Sequence, residues 1–292
     1  MRDISDREMR SLVGLLDDDE GESLNLVYDQ ILRIGDPILP FLDDLRASGT
    51  PNMIGRVDSL TAELRFRNLK RDFAAFASSA EPDLEKGTWL FCRFGYPGVR
   101  PSVYSEWLDR VAAAIRKDLP LDPDPYMIMQ HLNNHLFGEL NFSGNEQRYY
   151  DPDNTYLNRV IETRRGIPVT LSVLYLLIGR RLNLPIYGVG TPGHFLVGFR
   201  EPNQSSFYID PYHKGRLLAA QDVRRMLVRS GYEFRLEFLE KASAREIVAR
   251  MMRNLISIYQ KSGSADRAEM LSTLVEIILS GKQRDVKPPA DE

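Results

Sequence analysis

The chain has 292 residues, 43% hydrophobic and 27% charged, a balance that suits a globular protein with a sizeable core and more than one domain. A formal net charge of −3 excludes the basic footprint of a nucleic-acid binder, and no apolar run is long enough to span a bilayer. The single cysteine excludes an intramolecular disulfide and fits a reducing compartment; the opening MRDISDREMRSLVGLLDDDE lacks the apolar core of a signal peptide, so a cytoplasmic protein is expected.

Residues 5–49 carry apolar side chains at helical spacing. Met9, Leu12, Val13, Leu15 and Leu16 mark a first helix, which the acidic run Asp17 to Glu20 and Gly21 ends. Leu24, Leu26, Val27, Ile31 and Leu32 mark a second, and a third short helix begins after Gly35. This region reads either as a HEAT-like, protein-binding fragment or as a helical cap on the main domain; no second copy recurs at a fixed period. After a break at residues 49–53, one long helix follows, with a bend expected at Gly55. Its Arg65, Arg67, Lys70 and Arg71 read as a solvated face or as an attractor of an anionic partner.

The dense apolar segment from Trp89 to Phe94 holds Cys92, either a nucleophile reaching in from another helix or a buried small hydrophobe. Two amphipathic helices follow. In the second, His131 and His135 stand four apart on one surface. That is the ligand spacing of an HExxH zinc helix, but Leu132 occupies the glutamate position and no third ligand is evident. No metal and no cofactor are expected.

Residues 141–158 are polar and aromatic, with a turn at Asp151–Asn154. Asp153 or Asn154 is placed to cap a helix starting near Thr155. Asn145, Arg148, Tyr149, Tyr150 and Asn158 either line a cleft or brace the core. Arg164 and Arg165 precede a helix start, where they either help to hold an anion or pair with Glu162 or another acid. Pro168 suits the first helical position. From Val169 to Ile178 the helix is apolar on nearly every side and so buried. It closes on Gly179–Arg180–Arg181, which suits the negative end of its dipole.

Glycines and Pro192 then mark tight turns, and His194 opens an apolar run to Phe199. A second run, FYID, ends at Asp210. A hairpin centred near residues 202–203 sets His194 across from about position 211, within reach of Asp210. A histidine oriented by a carboxylate is the base half of a catalytic triad. His213 reads as a second base or as turn decoration, and Arg165 as a further cleft residue. YEFRLEFL alternates Phe234, Leu236 and Phe238 as a strand would. Two helices around Ser262–Gly263–Ser264 resemble a tetratricopeptide-like pair, and residues 282–292 read as a disordered tail.

The blocks FSGNEQRYYDPDNTYLNRVIE, RRGIPVTLSVLYLLIGRRLNLP, GHFLVGF and YIDPY, in that order, resemble the transglutaminase-like family that includes the bacterial SirB-type proteins. The resemblance covers roughly the central half of the chain. It implies an α+β fold: a papain/transglutaminase-like core with a small antiparallel sheet on the buried helix. The expected organisation is an N-terminal helical region (1–76), the transglutaminase-like domain (77–238), a C-terminal helix pair (239–281) and the tail (282–292). In catalytic relatives a cysteine opens the buried helix, a histidine follows on one strand, and an aspartate or asparagine on the next. By resemblance His194 and Asp210 take the last two roles. The first is unfilled, because the turn reads Gly166–Ile167–Pro168–Val169 and Pro168 stands at the nucleophile position.

Two functions from different classes follow. The first is a non-catalytic ligand- or protein-binding module, regulatory in character, whose partner is a protein or peptide and neither nucleic acid nor membrane; its terminal helices are further interaction surfaces. The second is a hydrolase or acyltransferase that uses His194 and Asp210 with Ser172, Thr170 or Cys92 as a non-standard nucleophile. Against it, Ser172 lies four residues past Pro168, about 6 Å further along the helix. The sequence sets no oligomeric state.

Overall fold

The computed structural model of the chain describes residues 4–17, 22–200 and 206–280. The turn expected near 201–205 and the tail expected at 282–292 lie outside the described residues. The chain divides into two units, Met1–Arg71 and Asp72–Glu292, and the division falls inside one helix.

The first unit is helical. α1 (Asp6–Gly14) opens with a capping box in which Ser5 and Glu8 satisfy each other's backbone N–H groups. α2 (Glu22–Ile34), α3 (Leu39–Ser48) and the first half of α4 (Pro51–Ser78) join it around one core that includes Val13, Leu16, Ile31, Leu42, Val57 and Leu60. Gly35, at φ 76°, supplies the left-handed turn that ends α2. α4 begins at Pro51, inside the expected break, and runs unbroken past Gly55.

The second unit is α+β. α5 (Leu84–Gly95) is capped by Asp83, whose side chain accepts from Lys86 N–H. α6 (Pro101–Lys117) and α7 (Pro125–Asn133) follow, and α7 widens into a π-helical turn over Asn134–Glu139. β1 (Ser143–Gly144) pairs in parallel with β2 (Arg165–Gly166), on either side of α8 (Leu157–Thr163). α9 (Pro168–Arg181) is buried at every residue from Pro168 to Gly179. At its end Arg181 makes a two-pronged contact with Glu85, at 2.8 and 3.1 Å, and a 2.5 Å contact with Asp109.

The sheet against α9 is antiparallel, in the order β3 (Ile186–Thr191), β4 (His194–Arg200), β5 (Ser206–Asp210), β6 (Arg216–Leu218). α10 (Ala220–Arg229) closes over Val189, Leu196, Tyr208 and Leu218 through Val223 and Leu227. α11 (Ala244–Lys261) and α12 (Ala265–Ser280) pack as a pair, and α11 also lies on α5. Among the described residues no helix is long and apolar enough to cross a membrane.

Several expectations are corrected. The glycines before His194 do not simply mark turns: Gly188 and Gly190 lie within β3, and a Cβ at Gly188 would strike Ile247 and the Phe195 ring. Close approach of a packed neighbour explains glycine in a strand interior. The hairpin register pairs Val197 with Ile209, one residue from the expected pairing. YEFRLEFL forms no strand. Its Phe234 and Phe238 pack against the sheet's α10-side cluster, while Leu236 projects outward and Leu236–Leu239 coil into a 3-10 turn; the alternation reports burial without a hydrogen-bonded ladder. α8 starts at Leu157 with Tyr156 as its cap residue. Asp153 instead accepts from Tyr96 and Arg159, and Asn154 donates to Arg148 O.

Candidate functional site

The site gathers at one end of the sheet, where β4 begins and β5 ends. Asp210 is buried, with 2% of its surface exposed. One of its oxygens, Oδ1, accepts the backbone N–H groups of Tyr212 and His213, at 3.1 and 3.3 Å. This is an aspartate capping its own Pro211 turn. The other oxygen, Oδ2, lies 2.9 Å from His194 Nε2 and 2.8 Å from His213 Nδ1. Burial alone would raise the Asp210 carboxyl, but the hydrogen bonds and charges of the two histidines outweigh it and hold its pKa below the usual range.

Aromatic rings surround this carboxylate. Tyr212 meets His194 edge-on at 6.0 Å between ring centroids, and Tyr149 meets Tyr212 at 6.4 Å. Burial raises the pKa of both phenols. The Tyr212 ring also lies on Gly144, leaving no room there for a Cβ. Since Gly144 pairs with Gly166, two residues before Pro168, contacts from His194 reach the corner that leads into α9 through Tyr212. Arg250 on α11 donates to the carbonyl of Thr191, the β3 residue that opposes His194, at 3.2 Å; burial lowers its pKa and the nearby Tyr149 opposes that shift.

The residues weighed as nucleophiles have other partners. Ser172 Oγ donates to Phe195 O at 3.2 Å, and Thr170 Oγ1 to Thr155 O at 3.4 Å, both fully buried. Cys92 is enclosed in α5, and burial pushes its thiol up to about 12 even though the N–H groups of Asn158 and Leu157 bond its sulfur. Activated cysteines show the opposite shift. Pro168 occupies the first turn of α9, as the sequence requires.

Of the residues proposed to line a cleft beside His194, the structure brings Tyr149 to the cluster, through Tyr212. Tyr150 is exposed, its ring under Lys261 Nζ at 4.0 Å and edge-on to Tyr149. Arg148 is exposed and paired with Asp151 at 2.9 Å. Asn158 is buried beside Cys92 and borders a surface hollow with Tyr96, Tyr104 and Arg159. Arg165 is exposed and donates to Asn141 O at 3.0 Å. Glu162 pairs with Arg159, not with Arg164 or Arg165; Arg164 lies over the rings of Trp107 and Phe142. His135 pairs with Glu139 at 2.6 Å. Tyr212 and Arg250 were not assigned to the site from sequence, and His213 was weighed there as a second base or as turn decoration. The available signal was the Asp-Pro-x-His turn itself, which folds a histidine back onto its own aspartate.

A sequence model of the transglutaminase-like superfamily matches residues 102–253, from the start of α6 into α11. The chain belongs to the transglutaminase-like superfamily. This is the family that the GIPVTL, GHFLVGF and YIDPY blocks resemble, and its match contains α9, the sheet and the His194–Asp210 pair. The chain is 36% identical to a UPF0162 protein of Xylella fastidiosa (strain 9a5c) over 186 residues, 61% of this chain and 66% of that protein. It is 26% identical to a UPF0162 protein of Vibrio cholerae over 134 residues, 44% and 49% of the two chains. It is also 27% identical to F-box only protein 21 of Homo sapiens over 160 residues, 52% of this chain and 25% of that protein. The matches thus span just under two thirds of the Xylella relative, at 66%, and less of the others. No solved structure matches.

Proposed function

We propose that this transglutaminase-like chain is a non-catalytic binding module, regulatory in character, whose ligand is a protein or peptide. The observation that carries the reading is the fate of the thiol: proline stands where the fold's nucleophile belongs, and the lone cysteine lies in the core with its pKa pushed up to about 12. The hydrogen bonds of Ser172 and Thr170 to main-chain carbonyls argue in the same direction. The match to a quarter of a much longer F-box only protein 21 fits a module that serves inside larger proteins. The HEAT-like character of α1–α3 and the tetratricopeptide-like character of α11–α12 belong to this proposal as further docking surfaces, as does a cytoplasmic location.

The alternative, a hydrolase or acyltransferase with a hydroxyl or Cys92 as nucleophile, is favoured by one observation, the intact 2.9 Å His194–Asp210 bond. The two separate by experiment. The folded chain is treated with a fluorophosphonate and an iodoacetamide probe and assayed on activated esters and amides. No labelling and no turnover are expected. Turnover that His194→Ala abolishes, or labelling of Ser172, Thr170 or Cys92 in the folded chain, would overturn the reading.

A further inference from the structure

We propose that His194, Asp210 and His213 bind one divalent first-row transition-metal ion, of which zinc is the type. Each residue offers one ligating atom, and these atoms all lie within 4.8 Å of one another. Two imidazole nitrogens and a carboxylate oxygen are a three-ligand set that first-row metals accept with a coordination position left over. The site is independent of which ligand the cleft takes.

The two oxygen–nitrogen separations are near what the ion requires, and the two nitrogens lie within 4.8 Å of each other, a gap that the ion would draw in. Around a tetrahedral ion with bonds of about 2.0–2.1 Å, ligand atoms stand roughly 3.3 Å apart. The nitrogens of His194 and His213 now stand 2.9 and 2.8 Å from Asp210 Oδ2. Each ring needs to draw back by about half an ångström to admit the ion. His213 can do so, because its side chain is 53% exposed on a short turn ending at the left-handed Lys214. His194 and Asp210 sit on paired strands, and the N–H groups of Tyr212 and His213 fix Oδ1. A hydrogen-bonded carboxylate of this kind is the outer support that metal sites share.

A hollow of about 480 Å³ adjoins Asp210 and His213 and is bordered by Arg216, Arg229 and Arg225, the last paired with Asp222 of the same lining. The remaining coordination position therefore neighbours positive charge and suits water or an anionic ligand. A metal-bound imidazole nitrogen carries no proton, so the ion competes with acid.

The test uses the full chain, freed of any affinity tag and stripped of metal, titrated calorimetrically with zinc chloride near neutral pH. One ion per chain is expected, with affinity falling as the pH is lowered. His213→Ala, a change at an exposed position, should weaken binding at least tenfold, the scale on which losing even a supporting group acts. His135→Ala serves as the decoy control and should leave affinity unchanged. Circular dichroism of His213→Ala checks that the loss is of the site and not of the fold. A wild-type chain that takes up no zinc, or a folded His213→Ala variant that binds it as tightly as wild type, overturns the proposal.

Discussion

His194 and Asp210 meet across neighbouring antiparallel strands, Nε2 to Oδ2 at 2.9 Å, at the one end of the sheet where β4 starts and β5 stops. Asp210 is an acceptor for four donors, two backbone and two imidazole. Asp210→Asn places an amide donor among those donors and should cost about 1–3 kcal/mol. The sign of the pH dependence follows from the depressed pKa of the carboxyl. A group whose folded-state pKa lies below its unfolded value, about 3.9, stabilises above that value and loses the contribution as pH falls through the folded pKa. Urea unfolding should therefore show a clear gap between wild type and Asp210→Asn at pH 7, closing below about pH 4; a gap that persists or widens in acid would contradict the assignment.

Cys92 should be silent in the native state. With the thiol raised to about 12 and fully enclosed, a disulfide-exchange reagent at pH 8 should react only as fast as the chain unfolds, and at once in urea. Cys92→Ala removes a core atom and should lower stability by about 1–2 kcal/mol. Rapid reaction of the folded chain is the outcome that counts against this placement.

Gly144 is held to hydrogen by the Tyr212 ring. Gly144→Ala should force the ring off β1, at a cost of about 1–3 kcal/mol for an overpacked contact. It should also shift the His194 and His213 imidazole resonances in NMR spectra, because Tyr212 touches both rings. Unchanged imidazole signals would mean that Tyr212 does not position the cluster.

Arg181 ties the end of α9 to α5 and α6 through Glu85 and Asp109, and its side chain is 18% exposed. Shielding and the two-pronged geometry make this pair worth more than a surface salt bridge. Arg181→Met should cost about 1–3 kcal/mol. Arg181→Lys should restore only part of it, since an ammonium cannot reproduce the fork. Thermal unfolding compares the three, and equal melting temperatures for Lys and Arg would refute the role of the fork.

Part of the site was legible because it is local or follows from a short hairpin. Asp210 lies sixteen residues past His194 in sequence; two apolar runs separated by a polar turn bring such positions together even with a register one residue off. Arg148 and Arg165 do not reach the histidine because residues that cluster in sequence around a helix start fan out over the surface once the loop and α8 turn through separate directions, whereas Asn158 turns into the core beside Cys92. Phe234 and Phe238 misled for a related reason: alternation measures which side chains are buried, and it cannot tell a paired strand from a coil pressed onto a hydrophobic cluster.

The sequence by itself determined the buried helix, from Pro168 through its apolar faces to Arg180 and Arg181, together with the absence of a cysteine at its start and the family. All of these rest on residue type and order within one segment. Only the tertiary structure decided that His213 shares the carboxylate of Asp210, that Cys92 is walled in beneath α8, and that Tyr149, through Tyr212, joins the cluster while Arg148 does not. Those outcomes are set by how segments distant in sequence pack side by side, and no periodicity within a single segment carries that information.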